Sequence, residues 1–313
     1  MPAASQQPQA QAIEASTFSD SLPPEAQPAL LTKVETLLDR AHFSPGVIDG
    51  RPGVNLHNAL AAYAEAHGLA SDGTLTAQLF NALSSADKVP ITQDYTVTAD
   101  DEKGPFIGHV PSDFRALAKF KHLGYRDVVQ ELAEKFHMSE ALLRGLNPNA
   151  NFRTAGTSIV AVRPGNGDLR GPIARVEVNK STNQVSAFDN AGTLIAVFPA
   201  TVGSTERPAP SGRWAVKFVT FNPKYIYNPK RLTFGHKSKR VLTIAPGPNN
   251  PVGTTWIELT KPTYGIHGAP DPELVGKTAS HGCVRLTNWD AAALGHAVKK
   301  GTPVLFVGQT NKK

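Results

Sequence analysis

Leu31, Val34, Leu37 and Leu38 recur at steps of three and four, which puts one apolar stripe on a helix. The turn SPGVIDGRPG follows, with Gly46, Gly50 and Gly53 available for left-handed backbone. A second amphipathic run, NLHNALAAYAEAHGL, stops at Gly68, and ASDGTLTAQLFNAL opens a third helix with a start signal at Asp72–Thr74. Residues 29–85 therefore predict a small three-helix bundle. Before it, residues 1–28 are rich in Ala, Gln, Pro and Ser and nearly free of large apolar side chains, the composition of a flexible linker. Beyond the bundle, YTVTADDEKG alternates as a strand does. VVQELAEKFH and SEALLRGLNP return to helical spacing, the second capped by Ser139 and stopped by Gly145 and Pro148. TSIVAVRPG closes this strand–helix–helix–strand module over residues 92–165, which carries a long insert at roughly 101–126. From Ile173 the alternation is that of strands, broken by Asn/Ser/Thr and Asp-Asn-Ala-Gly turns. One helix, Thr287 to Lys300, and a last strand, PVLFV, complete a mainly β domain over residues 170–310.

Composition narrows the classes. An apolar fraction of 40% over 313 residues suffices for two or three cores. No stretch of about 18 apolar residues occurs, so no transmembrane segment is expected. The opening MPAASQQPQAQAIEAS has neither a basic start nor an apolar centre, so it is not read as a signal peptide. A net charge of +6 favours an anionic partner. Nucleic acid is not that partner, for there is no zinc-finger spacing and no aromatic RNP-like string. A polymer bearing carboxylates satisfies the same charge. One cysteine excludes an internal disulfide and leaves an unpaired thiol.

That thiol, Cys283, sits in SHGCVRL just ahead of the C-terminal helix. A thiol becomes a nucleophile when an imidazole or a cluster of backbone N–H groups helps to remove its proton. His267, at the end of the alternating run WIELTKPTYGIHG, is the distant partner. Gly268 and Gly282 permit the close backbone approach that orients an imidazole or forms an oxyanion pocket. From the residues alone three readings stand: a small buried cysteine, a metal site of His267, His281 and Cys283, and a Cys–His acyl-transfer enzyme.

Resemblances to known families bear on that choice. VIDGRPG before a helix, and the same kind of turn again in GLASDG, resemble the peptidoglycan-binding domain 1 family. The order strand, helix, helix, strand with LNPN after the second helix resembles a LysM module, which binds amino-sugar polymers. GIHG, a short loop and SHGCVRL, together with TVGSTERPAPSGRWAV, IAPGPNNPVGTTWIEL and KKGTPVLFV, resemble the L,D-transpeptidase catalytic domain of the YkuD family over about residues 173–307. The fold class so implied is multidomain α+β. A mainly β YkuD-like catalytic domain is preceded by the helical bundle and an α/β LysM-like module.

The resemblance implies Cys283 as nucleophile and His267 as general base, with the Gly268 carbonyl orienting the imidazole. Gly282 and Cys283 supply oxyanion N–H groups, and His281 assists electrostatically. Ser280 and Tyr264 line the substrate pocket, and Arg285 binds a stem carboxylate. The implied reaction is a 3→3 peptidoglycan cross-link made through a cysteine thioester with release of D-Ala. Hydrolysis by the same acyl-enzyme (an L,D-carboxypeptidase or endopeptidase), or attachment of a protein to the wall, is the alternative. No cofactor and no metal are implied. The expected partners are stem peptides, glycan strands and carbapenem-type inhibitors, and the expected location is the periplasm or cell envelope. Lys230, Arg231, Lys237, Lys239 and Arg240, in the stretch from Tyr225, are read as either a basic lid over an acidic substrate or a solvated surface.

Overall fold

Of the predicted stripe, α2 (Gln27–Arg40) buries Val34, Leu37 and Leu38, with Leu30 buried in place of the half-buried Leu31, and the helix packs on α3 (Val54–Ala66) and α4 (Ala77–Ala86). It is preceded by α1 (Gln7–Ala15), within the span read as linker. Ile13 of α1 is buried, and the Glu14 carboxylate accepts hydrogen bonds from the backbone N–H and hydroxyl of Thr92 at 2.7 and 2.8 Å. One isoleucine among glutamines and alanines leaves no periodic signal to read. The start signal of α4 also moves. Asp72 accepts from Thr74 N–H in a local turn, and Thr76 is the cap, accepting from Leu79 N–H at 3.2 Å. The computed structural model describes residues 7–169, 171–204, 208–230, 238, 240–278 and 282–309. Among the described residues no helix is long and apolar enough to cross a membrane.

The chain forms two units. The first comprises residues 1–104, 128–168 and 196–199. Besides the helices above it contains β1 (Thr92–Thr96) and α5 (Ala99–Lys103), while α6 (Phe114–Leu117) belongs to the other unit. It continues with α7 (Val128–Lys135), α8 (Glu140–Leu146) and β2 (Ser158–Val162), which pairs antiparallel with β1. Asp101 completes a capping box with Thr98 and also accepts from Tyr95 Oη and Lys135 Nζ. Ser139 caps α8 as its sequence predicts. The helix runs through Gly145 and ends at Asn147, whose buried amide bonds Leu143 O and both backbone groups of Val160. A side chain that satisfies three backbone groups outcompetes the glycine as a stop.

The second unit comprises residues 105–127, 169–195 and 200–313. The insert expected inside the strand–helix–helix–strand module therefore belongs here, from Pro105 to Asp127. Its apolar side chains (Leu117 and Leu123, with Ile107, Val110, Phe114 and Phe120) pack with Ile244 and Tyr225 of this unit. Their spacing in sequence is irregular, so nothing in the pattern announces where they go.

The strands are β3 (Arg175–Asn179), β4 (Gln184–Phe188), β5 (Leu194–Pro199), β6 (Thr201–Val202), β7 (Gly212–Phe221), β8 (Tyr225–Tyr227), β9 (Leu242–Ile244), β10 (Thr255–Leu259), β11 (Gly265–His267), β12 (Val284–Arg285) and β13 (Pro303–Val307). The main sheet runs β5-β4-β3-β13-β7-β10-β11-β12-β6, with only Leu194 and Ile195 of β5 counted in this unit. Strands β8 and β9 form a separate two-stranded ribbon. The helix α9 (Asn288–Ala297) packs on β10 and β11. Thr287 caps it, accepting from Asp290 N–H at 3.1 Å. It ends three residues earlier than its charge pattern suggests, before Lys299 and Lys300.

Candidate active site

Three short strands bring the motif residues together. Antiparallel pairing of β10 and β11 sets Trp256 directly opposite His267. Parallel pairing of β11 and β12 sets His267 opposite Arg285 and Ile266 opposite Val284. Side chains alternate faces along a strand, so Cys283, one residue before β12, shares a face with Arg285 and hence with His267 and Trp256. A Gly-rich sequence is what leaves room there. A Cβ on Gly265 would lie 2.7 Å from Trp256 Cζ2 and 3.0 Å from Ile257 O, so the indole occupies the space that a side chain would fill. That indole stacks on the His267 ring, with centroids 5.5 Å apart and planes 25° from parallel.

His267 is 4% exposed. Its Nδ1 lies 2.7 Å from Gly268 O. A carbonyl only accepts, so Nδ1 carries the proton and Nε2 is left with its lone pair. Burial, with the Arg285 charge second, pulls the His267 pKa down to about 3, against the pull of the Gly268 carbonyl. The ring is a neutral base throughout the neutral range. The space where a Gly268 side chain would stand is filled by Asn288. The Asn288 Oδ1 accepts from Thr254 N–H at 3.1 Å, and Nδ2 donates to Pro248 O at 3.3 Å. Any Cβ on Gly253 or Gly268 would overlap Oδ1, so both glycines are required by one buried amide.

Cys283 is half-buried, and its Sγ donates weakly to Thr263 O at 3.8 Å. Burial pushes the thiol up, while a Gly265 backbone group and Arg285 pull the other way. Burial thus favours the neutral form of both the thiol and the imidazole. Thr263 holds a positive φ of 68°, unusual for a β-branched residue, at the turn that brings its carbonyl to the thiol. Gly282 has φ 118°, and a Cβ there would sit 3.3 Å from the Tyr264 ring. Arg285 is half-buried and pairs with no carboxylate among the described residues, and burial lowers its pKa. Tyr225, on β8, completes the group. Burial, and next Cys283, push its pKa up to about 12, so the phenol keeps its proton.

The structure thus gathers Cys283, His267, Gly268, Gly282, Arg285 and Tyr264. Ser280 and His281 lie outside the described residues, as do Arg231, Lys237 and Lys239 of the basic stretch. Among the described residues no group of three or more His, Cys, Asp and Glu could hold a metal. Sequence reasoning missed Trp256, Asn288 and Thr263, and took Tyr225 only as the edge of a charged stretch. Each acts through a contact across the sheet or loops, for which one sequence holds no periodic signal.

Residues 173–305 match the model of the YkuD family, the L,D-transpeptidase catalytic domain. The chain is 30% identical over 179 residues to the L,D-transpeptidase-family protein YkuD of Bacillus subtilis, covering 57% of this chain and 92% of that one. It is 34% identical over 137 residues to YqjB of the same organism, covering 42% and 69%. L,D-transpeptidase 3 from Mycobacterium tuberculosis, solved with a faropenem-derived adduct, matches with a TM-score of 0.37 at 18% identity over 49% of this chain and 75% of that one. The chain belongs to the L,D-transpeptidase family and is an enzyme of that family, a transferase with a mainly β catalytic domain behind an N-terminal helical region.

Proposed function

We propose that the protein is a peptidoglycan L,D-transpeptidase that forms 3→3 cross-links through a thioester on Cys283. The observation that carries this reading is the shared face of Cys283, Arg285 and His267, with His267 Nδ1 tied to the Gly268 carbonyl. In the reaction, Nε2 of His267 takes the Cys283 proton as Sγ attacks the carbonyl joining the diamino acid of a donor stem to its terminal D-Ala. Backbone N–H groups of Gly282 and Cys283 stabilise the oxyanion. The C–N bond breaks, the imidazolium returns the proton to the leaving D-Ala amine, and the donor stays as a thioester. An amine of a second stem attacks the thioester, gives up its proton to His267, and restores the thiol. A neutral starting pair suits this sequence, because the proton moves with the attack and no ion pair has to be sustained in a buried site.

Arg285 binds a stem carboxylate with its planar fork, for which its lack of a carboxylate partner among the described residues leaves it available. Tyr264, beside Gly282, lines the donor pocket. The N-terminal bundle and the β1–α7–α8–β2 module are assigned to holding the wall polymer, in keeping with their likeness to peptidoglycan-binding and LysM modules. The enzyme then works in the cell envelope, in the periplasm, and carbapenems acylate Cys283.

Intact-mass spectrometry with a disaccharide-tetrapeptide tests the reading. The expected products are free D-Ala, an acylated protein and a 3→3 dimer, all absent with Cys283→Ala. Full activity in that variant refutes the nucleophile. Tripeptide without dimer replaces transfer by hydrolysis.

A further inference from the structure

The excursion Pro105–Asp127 interrupts one unit of the protein in sequence and completes the other in space. It is built into the second unit by backbone. Leu123 N–H donates to Pro246 O at 2.9 Å, Asn249 N–H donates to Leu123 O at 3.2 Å, and Asn249 Nδ2 donates to Gly124 O at 2.7 Å. Gly247, with φ 140°, lies so close beneath Leu123 that a Cβ would overlap its carbonyl. The ribbon that this excursion covers has only three residues in each strand, β8 and β9. A two-stranded ribbon of that size is not stable by itself and needs an apolar partner on one face.

The insert supplies that partner. Tyr225 and Tyr227, two apart on β8, share a face, and Phe114 lies edge-on to both, at 5.6 and 5.5 Å between centroids and 76° between planes. Ile226, between them, faces away and is 61% exposed. Opposite Tyr225 on β9 is Ile244, fully buried with Leu117 and Leu123 of the insert. Tyr225 in turn shares its electrostatic environment with Cys283 and Arg285. Phe114 therefore packs on a phenol that lies within electrostatic reach of the thiol and of Arg285.

We propose that Pro105–Asp127 is a wall of the acyl-donor site, in which Phe114 is a positioning residue that holds the Tyr225 phenol at Cys283 and Arg285 to receive the donor stem. The phenol stays protonated and so offers a hydrogen bond to a donor carbonyl or carboxylate. Phe114 touches no reacting atom and acts through Tyr225 alone. The donor part of this proposal rests on acylation of Cys283 as given above; the placement of Tyr225 by Phe114 does not.

The test uses the full chain in a double-mutant cycle of Phe114→Ala and Tyr225→Ala. The rate of covalent acylation by a carbapenem is followed by intact mass. Each single change is expected to slow acylation on the order of 10-fold or more, and the double variant to be no slower than Tyr225→Ala alone. Phe114→Tyr, which keeps the ring edge, restores most of the rate. Phe114→Leu keeps the burial without the ring; it stands in for Phe114→Ala if that variant does not fold, and slows acylation in the same direction. With ring-labelled tyrosine, the NMR resonance that disappears in Tyr225→Phe is expected to move in the Phe114 variant. A wild-type acylation rate in a folded Phe114 variant, additive losses in the cycle, or an unmoved Tyr225 resonance each overturns the proposal. If the wild-type protein is not acylated at all, the acyl-enzyme reading and the donor-wall role built on it fail together. The tyrosine resonance then still decides whether Phe114 places Tyr225.

Discussion

Gly268→Ala adds one methyl group next to His267, the proposed general base. The new Cβ would overlap Asn288 Oδ1 and lie 3.3 Å from both Cα and Cγ of Asn288. Asn288 is 2% exposed and cannot swing aside, because its amide is bonded to Thr254 N–H and Pro248 O and its Cα opens α9. The strain must move the Asn288 amide, the Gly268 backbone, or both. Overpacking of this kind costs about 1–3 kcal/mol, or roughly 2–4 °C of melting temperature per kcal/mol in a domain of this size. The larger effect falls on the chemistry. The Gly268 carbonyl fixes the His267 tautomer at 2.7 Å. Displacing it by an ångström loosens the base by enough to lower the rate on the order of 10²-fold. The assay is the rate of Cys283 acylation beside the melting temperature, for Gly268→Ala and for the double variant with Asn288→Ala. Removing the obstructing amide is expected to return part of the lost rate. A folded Gly268→Ala protein with the parent's rate refutes the reasoning. So does a double variant whose loss is the plain sum of its parts.

The depressed His267 pKa has a sign that can be followed. Between about 3 and 6.5 the unfolded chain takes up the proton and the folded chain does not, so stability falls as pH drops through that window and is undiminished above it. Melting temperatures from pH 7 to 4 are expected to fall more steeply for the parent than for His267→Gln, and the acid limb of acylation to lie well below the ordinary imidazole range. Asp101 titrates at about 2, with burial opposing and the Tyr95, Thr98 and Lys135 hydrogen bonds prevailing. Its contribution is present above pH 3.8 and lost as pH falls toward 2. Asp101→Asn is expected to destabilise by about 2 kcal/mol at neutral pH, read by urea unfolding. Arg285→Lys loses the planar fork and should raise KM for the tetrapeptide on the order of 10-fold, with a smaller change in kcat. An unchanged KM removes Arg285 from the donor site.

The candidate pair was legible because its signal is local: GIHG and SHGCVRL place an imidazole and a thiol at strand ends within twenty residues of each other. The bundle helices α2, α3 and α4 were legible for a similar reason, since spacing of three and four needs only one turn to be visible. What sets the reactivity was not. Asn288 reaches Gly253 and Gly268 from the first turn of α9, and Trp256 meets His267 only once β10 and β11 are in register. Phe114 meets Tyr225 across more than a hundred residues. Contacts of that kind are fixed by tertiary packing, and a single sequence contains no period from which to infer them. The insert shows the same limit at larger scale. Its neighbours in sequence suggested one module, and its apolar side chains are buried in another.

The placement of the insert also sets an order of events during synthesis. Leu123 leaves the ribosome 121 residues before Ile244, its partner in the cluster. At elongation rates of about 5–20 residues per second, that is roughly 6–24 s in which Phe114, Leu117 and Leu123 have no core to enter. The segment proposed to wall one side of the site is therefore also a sticky stretch of the nascent chain. Arg115, Lys119 and Lys121, interspersed among those apolar residues and themselves exposed in the finished fold, are charged breaks of the kind that keep such a stretch from self-association.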